Sequence, residues 1–97
     1  IKYYGLYKNL MEFWAKQHPN RIYDADYELI TVNQENETHQ LIDYLGLNWD
    51  DRCLFPQNNM RSVATASNIQ IRKKIYQGSS QQWEKYKPFL NGALDGF

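Results

Sequence analysis

From Phe55 to Gly78 the chain has neither helical nor strand periodicity, and this polar stretch is the strongest limit on what it can fold into. A structureless loop of roughly 20 residues is uncommon in a compact domain, where such a length is either functional or disordered. Its composition points to function. Residues 61–76 set Arg61, Arg72, Lys73 and Lys74 among Ser62, Thr65, Ser67 and Asn68, with no acid between them. Arg offers a forked donor set and Lys a point charge, while hydroxyls and backbone N–H groups fill the gaps around a multi-oxygen anion. The segment reads as a phosphate or sulfate pocket written along one loop.

Charge along the chain agrees. The totals are 11 basic and 11 acidic residues, net zero, but they are unevenly spread. Asp24, Asp26, Glu28, Glu35, Glu37, Asp43, Asp50 and Asp51 fall in a stretch with no Lys or Arg. From Arg52 to Lys87 the only acid is Glu84, against Arg52, Arg61, Arg72, Lys73, Lys74, Lys85 and Lys87. Such asymmetry fits an anionic partner for the basic half. The plainer alternative is that the two halves neutralise each other across the fold.

Ninety-seven residues allow one domain or part of one, with a thin core. No apolar run approaches the ~20 residues that span a bilayer, and there is no signal peptide. Cys53 is the single cysteine, which excludes an internal disulfide and fits a reducing, cytoplasmic setting. Asn36-Glu37-Thr38 spells a glycosylation sequon, which without a secretory signal reads as chance.

Tyr3, Leu6, Tyr7, Leu10, Phe13 and Trp14 lie on one stripe and predict a helix over 2–17, stopped by His18-Pro19-Asn20. Residues 21–27 alternate weakly and predict a short strand, with a helical corner at 27–30. Asn33 is placed to cap a helix carrying Glu35 and Glu37 in its first turn and Gly46 at its end. One more helical turn is expected at 50–54. Ser79-Ser-Gln-Gln82 spells a capping box for a last helix with Trp83, Tyr86 and Leu90 on its apolar face, split by Pro88. The strand has no evident partner within the chain, so its other strands would belong to another chain or lie upstream.

The order of these motifs resembles a known family. Tyr27-Glu28-Leu29-Ile30 follows the strand, the acidic helix ends Leu45-Gly46-Leu47, and Asn48-Trp49-Asp50 and Cys53-Leu54 come next. Val63, Thr65, Ser67, Gln70, Arg72, Ile75-Tyr76, Trp83 and Tyr86 complete the series. The set resembles the C-terminal part of a sulfotransferase that uses PAPS, the 3′-phosphoadenosine 5′-phosphosulfate donor. It is similar to bacterial domains often joined to tetratricopeptide repeats and, more distantly, to tyrosylprotein sulfotransferases. The resemblance covers nearly the whole chain and is strongest over 27–86. It implies an α/β, P-loop NTPase-like parent fold. Residues 1–97 would be one C-terminal fragment of that domain, mainly α-helical with one short strand and a long functional loop.

The resemblance also implies roles. Tyr27 would lie against the adenine ring. Ser67, Asn68, Gln70, Ile71, Arg72, Lys73 and Tyr76 would wrap the nucleotide end of the cofactor, whose product is adenosine 3′,5′-bisphosphate. Trp83 and Tyr86 would anchor the loop by packing. The family usually carries Pro where Lys74 stands and a basic residue where Gln82 stands. The family's phosphosulfate loop and catalytic acid–base residue, and its Arg and Ser for the 3′-phosphate, have no counterpart here, so the fragment alone is expected to be inactive. No metal is expected. The acceptor, a hydroxyl or amine, cannot be read.

Other constellations are weaker. Cys53 with His18 or His39 has no local signature of a nucleophile pair, and two His with one Cys give no zinc spacing. Asp24, Asp26 and Glu28 read as solvated turn acids rather than metal ligands. Nucleic-acid binding by 61–76 is the rival reading, opposed by zero net charge and a pI near 6.9. A third is a helical interaction module using the aromatic face of residues 3–14, which also invites self-association.

Overall fold

The computed structural model describes residues 1–95 and divides into two compact units, Ile1–Asp24 with the C-terminal segment from Ser80, and Ala25–Ser79. The first unit is built on helix α1, Lys2–Gln17. Aromatic residues one turn apart pair along it, with Tyr4 stacked on Tyr7 (6.1 Å between centroids) and Trp14 on His18 (5.7 Å). Lys8 lies 5.8 Å over the Tyr4 ring. The helix stops where expected. His18, held by Pro19 out of helical geometry at φ −130°, ψ 67°, donates its N–H to the Trp14 carbonyl. The predicted apolar stripe is present and uncovered: Tyr3 is 86% exposed, Leu6 68% and Leu10 53%.

The second unit begins with a correction. Residues 21–26 form no strand, nor does any other described residue. A strand satisfies its backbone only through a neighbour, and none is present, so weak alternation is not enough. Asp26 keeps extended geometry (φ −77°, ψ 110°) and uses it differently. Its carboxylate accepts from the Leu29 N–H at 3.1 Å, capping helix α2, Tyr27–Val32. The helical corner at 27–30 is thus a full short helix.

Helix α3, Gln34–Tyr44, follows after Asn33 alone, and α2 packs on α3. Asn33 occupies the expected cap position, yet only its carbonyl acts, accepting from the Glu37 N–H. Glu35 and Glu37 do sit in the first turn. At the other end the Gly46 N–H reaches the Asp43 carbonyl (3.0 Å) and the Leu47 N–H the Ile42 carbonyl (3.2 Å), a Schellman motif. Gly46 sits at φ +70° with open space around its Cα, so backbone preference rather than room selects glycine.

The turn at 51–54 is a 3-10 helix, η1 (Asp51–Leu54), and it packs on α3. Two ties hold it. Gln34 donates from Nε2 to the Leu54 carbonyl at 2.8 Å, and the His39 ring stacks on Trp49 with centroids 3.4 Å apart. The long loop carries two more 3-10 turns, η2 (Pro56–Asn58) and η3 (Gln70–Arg72), which pack against each other.

The last element, η4 (Ser79–Phe89), is also 3-10 rather than α. The expected capping box does not form. The Ser79 hydroxyl pairs with the Tyr27 hydroxyl, and the Gln82 carboxamide accepts from Lys85 Nζ. Pro88 does not split the run either; it lies one residue before the end, and the run finishes with it. At three residues per turn Trp83, Tyr86 and Phe89 share one row. Trp83 and Tyr86 are exposed there.

None of the described residues is fully buried. The half-buried apolar side chains of the second unit, among them Ile30, Leu41, Ile42, Cys53 and Leu54, line the seams between α2, α3 and η1.

Gly46→Ala should cost about 1 kcal/mol through its left-handed backbone, a roughly fivefold shift in local opening. Hydrogen exchange at the Leu47 amide should speed by that factor, while exchange within α1 should not change.

Candidate functional site

A groove of about 260 Å³ lies wholly within the second unit, lined by Tyr27, Pro56, Gln70, Ile71, Lys73, Lys74, Ile75 and Tyr76. Each wall has a local cause. Tyr27 is the first residue of α2, placed by the Asp26 cap, and its hydroxyl meets Ser79 Oγ at 3.2 Å, tying the start of α2 to the end of the loop. Gln70 and Ile71 stand on η3, closed by N–H bonds from Arg72 to the Ile69 carbonyl and from Lys73 to the Gln70 carbonyl. Pro56 arrives with η2. Lys73 leaves the turn in extended geometry (φ −89°, ψ 145°) and carries the chain to Tyr76.

Five residues expected at a nucleotide pocket therefore meet in one place: Tyr27, Gln70, Ile71, Lys73 and Tyr76. Ser67, Asn68 and Arg72 do not line it. Ser67 and Asn68 instead serve backbone turns, Ser67 accepting from the Ile71 N–H and Asn68 donating to the Thr65 carbonyl. Arg72 turns its guanidinium back to the Arg61 carbonyl and so staples the two ends of the loop. The reason is geometric. Consecutive residues of a 3-10 turn point about 120° apart, so Gln70, Ile71 and Arg72 cannot all face one groove. Pro56 was not anticipated, whereas Lys74 was expected on the anion-binding loop and Ile75 in the motif series, neither of them as a cofactor contact. Lys74 and Ile75 belong to the same acid-free run; Pro56 had no local signal, because only the η2–η3 contact brings it in.

The groove has apolar walls and a cationic lining. Tyr27 is 51% exposed and Tyr76 59%, so both rings present open surface. Lys73 and Lys74 make no ion pair among the described residues, and no carboxylate lines the groove. Such a surface can take a flat apolar ring together with an anion.

A larger hollow of about 830 Å³ is lined by Asp50–Cys53, Phe55, Pro56 and Asn58–Met60. Its charges are already hydrogen-bonded. Asp50 accepts from the Arg52 N–H at 2.9 Å and from the guanidinium at 2.7 to 3.1 Å, and Asp51 accepts from Trp49 Nε1. The Arg52 side chain holds the Asp50 carboxyl down to about 2, and Asp50 in turn raises Arg52. Cys53 is free and half-buried there. The His39 ring stacks on Trp49, and no hydrogen bond between His39 and Cys53 is present. No cluster of His, Cys, Asp or Glu suited to a metal occurs among the described residues, and none of their helices is long and apolar enough to cross a membrane.

Residues 1–51 match the sequence model of the sulfotransferase family, more than half of the chain. The chain belongs to the sulfotransferase family. The matched span includes Tyr27 and α1 to α3 and stops before the basic loop. An uncharacterized protein of Aquifex aeolicus (strain VF5) is 35% identical over 89 residues, covering 92% of this chain. The chain spans only 12% of that relative's length. No solved structure matches.

The Asp50–Arg52 pair gives a pH test. A depressed carboxyl stabilises its local structure fully above the unfolded value, about 3.9, and loses that contribution as pH falls through about 2. NMR titration of Asp50 should find its midpoint at about 2 in the wild type. Arg52→Gln should raise that midpoint toward the ordinary carboxylate range, held short of it by the residue-52 backbone N–H that still donates to Asp50.

Proposed function

We propose that this chain forms the nucleotide side of a sulfotransferase cofactor pocket, with PAPS as donor and adenosine 3′,5′-bisphosphate as the product that leaves. The observation that carries the reading is the meeting of Tyr27 with Gln70, Ile71, Lys73 and Tyr76 in one groove. They come from opposite ends of the second unit, and their chemistry suits the ligand: rings for the base, ammonium for phosphate, no carboxylate to repel it. Tyr27 stacks on adenine, Ile71 and Tyr76 cover it, Gln70 offers its carboxamide, and Lys73 binds phosphate. Arg72, with Ser67 and Asn68, holds the loop that presents them.

The groove's 260 Å³ falls below the roughly 300–1,000 Å³ of a complete ligand site. It is therefore one part of a pocket. The remainder of the domain, an α/β P-loop-like fold, supplies the groups that hold the transferring sulfuryl and deprotonate the acceptor. In the reaction the bond from sulfur to the bridging phosphate oxygen breaks and a bond from sulfur to an acceptor hydroxyl or amine forms. The acceptor's proton passes to the base. Alone, the 97-residue chain is inactive. Its single free thiol fits a reducing bacterial cytoplasm. The uncovered stripe of α1 is the face that packs on the rest of the domain.

The test is isothermal titration of adenosine 3′,5′-bisphosphate into the full-length protein. Saturable binding is expected. Tyr27→Ala should weaken it about tenfold, as loss of a base–aromatic stack does. Lys73→Ala should weaken it by a similar factor through a lost charge-assisted bond. Absence of binding by the full-length protein would sink the proposal.

A further inference from the structure

We propose that the larger hollow, lined by Asp51, Phe55, Pro56, Asn58 and Met60, seats the acceptor and selects a ring-bearing alcohol that carries an ammonium group. The inference rests on the nucleotide reading above and deepens it by naming the acceptor class. At about 830 Å³ the hollow has the size of a complete small-molecule site, roughly 300–1,000 Å³. Phe55, Pro56 and Met60 give it apolar walls, and these are open: Phe55 is 49% exposed and Met60 92%. A flat ring laid on them removes apolar surface from water on both sides. The Asn58 carboxamide has no hydrogen-bond partner among the described residues, so a donor and an acceptor remain for a ligand hydroxyl.

Charge decides which ring compound fits. Two carboxylates and one guanidinium line the hollow, which leaves one negative charge. Arg52 forks onto Asp50, so that pair is closed on itself. Asp51 is the remainder. It accepts from Trp49 Nε1 at 2.9 Å, but the indole is a neutral donor, and Asp51 has no ion-pair partner among the described residues. An ammonium supplies the missing charge and can also face the Phe55 ring. The neighbouring groove has the opposite sign, with Lys73 and Lys74 and no carboxylate, and Pro56 lines both recesses. An anionic donor is therefore drawn to the groove and repelled by the hollow, and a cationic acceptor is sorted the other way. A protonated amine has no lone pair with which to attack sulfur. The ammonium is thus an anchor, and the group that takes the sulfuryl is a hydroxyl elsewhere on the same molecule.

The experiment titrates three probes into the full-length protein, with and without adenosine 3′,5′-bisphosphate. The probes share a ring and a benzylic hydroxyl and differ in charge: 2-amino-1-phenylethanol is the cation, 1-phenylethanol is neutral, and 3-hydroxy-3-phenylpropanoate is the anion. The amine should bind about tenfold tighter than the neutral alcohol, the carboxylate should bind weakest, and added salt should narrow the gap. Asp51→Asn keeps an oxygen for the Trp49 indole. It should bring the amine down to the neutral alcohol while leaving that alcohol and the bisphosphate unchanged. Phe55→Ala should weaken both the amine and the neutral alcohol. If the amine keeps its advantage in Asp51→Asn, the anchor is elsewhere and the inference fails. If wild type binds the bisphosphate but none of the probes, or all three alike, the inference fails and the nucleotide reading stands. If the amine binds as expected and the bisphosphate does not, the nucleotide reading falls and the acceptor role falls with it.

Discussion

The groove depends on keeping the two ends of the second unit together. The visible tie is one exposed hydrogen bond, Tyr27 to Ser79, across 52 residues. Closing a loop of that length costs about 3.5 kcal/mol from its length dependence alone, whereas one such bond contributes about 1 kcal/mol. The bond therefore records the closure and does not cause it. What holds the ends is the chain of contacts beneath: α2 on α3, α3 on η1, and η2 on η3. Each link spans only a short separation, so the long closure is assembled from cheap steps. Arg72 on the Arg61 carbonyl adds a further short link inside the loop.

The same arithmetic explains why the elements are poorly shielded. With no fully buried residue among those described, hydrophobic burial stabilises the seams only in part. Caps and local bonds therefore carry an unusual share: the Asp26 cap, the Schellman motif at Gly46, and the Asp50–Arg52 fork. Local bonds fix the shape of each turn, but they are exposed and individually weak. The apolar stripe of α1 is exposed, and its aromatic pairs order the stripe without removing it from water.

What the sequence made legible follows from range. The spans of α1 and α3 came from 3.6-residue spacing, Pro19 and Gly46, signals that act over a few residues. The strand at 21–27 failed because a strand is decided by its neighbour, and alternation says nothing about one. The capping box at Ser79 failed for the same kind of reason: a partner 52 residues away claimed the hydroxyl. Tyr27, Gln70, Ile71, Lys73 and Tyr76, which the family resemblance named, line one groove. Ser67, Asn68 and Arg72 lie outside that groove's lining, and for Arg72 the facing of the 3-10 turn at Gln70–Arg72 is the reason. The family match confined to 1–51 leaves the loop to be argued from its chemistry.

Charge distribution is consistent with the anionic ligand proposed for the groove. A chain of zero net charge could satisfy its basic loop with its own acidic half. The structure spends those acids otherwise. Asp26 and Asp50 cap helices, Glu35 and Glu37 sit at the positive end of α3, and Asp51 accepts from an indole. The ion pair found among the described residues, Arg52 with Asp50, is between near neighbours in sequence. Part of the negative charge is thus used locally where it arises, and Lys73 and Lys74 have no ion-pair partner among the described residues. Two cations with no counter-charge in the groove, beside open aromatic faces, are the local imbalance on which the proposed phosphorylated-base ligand rests.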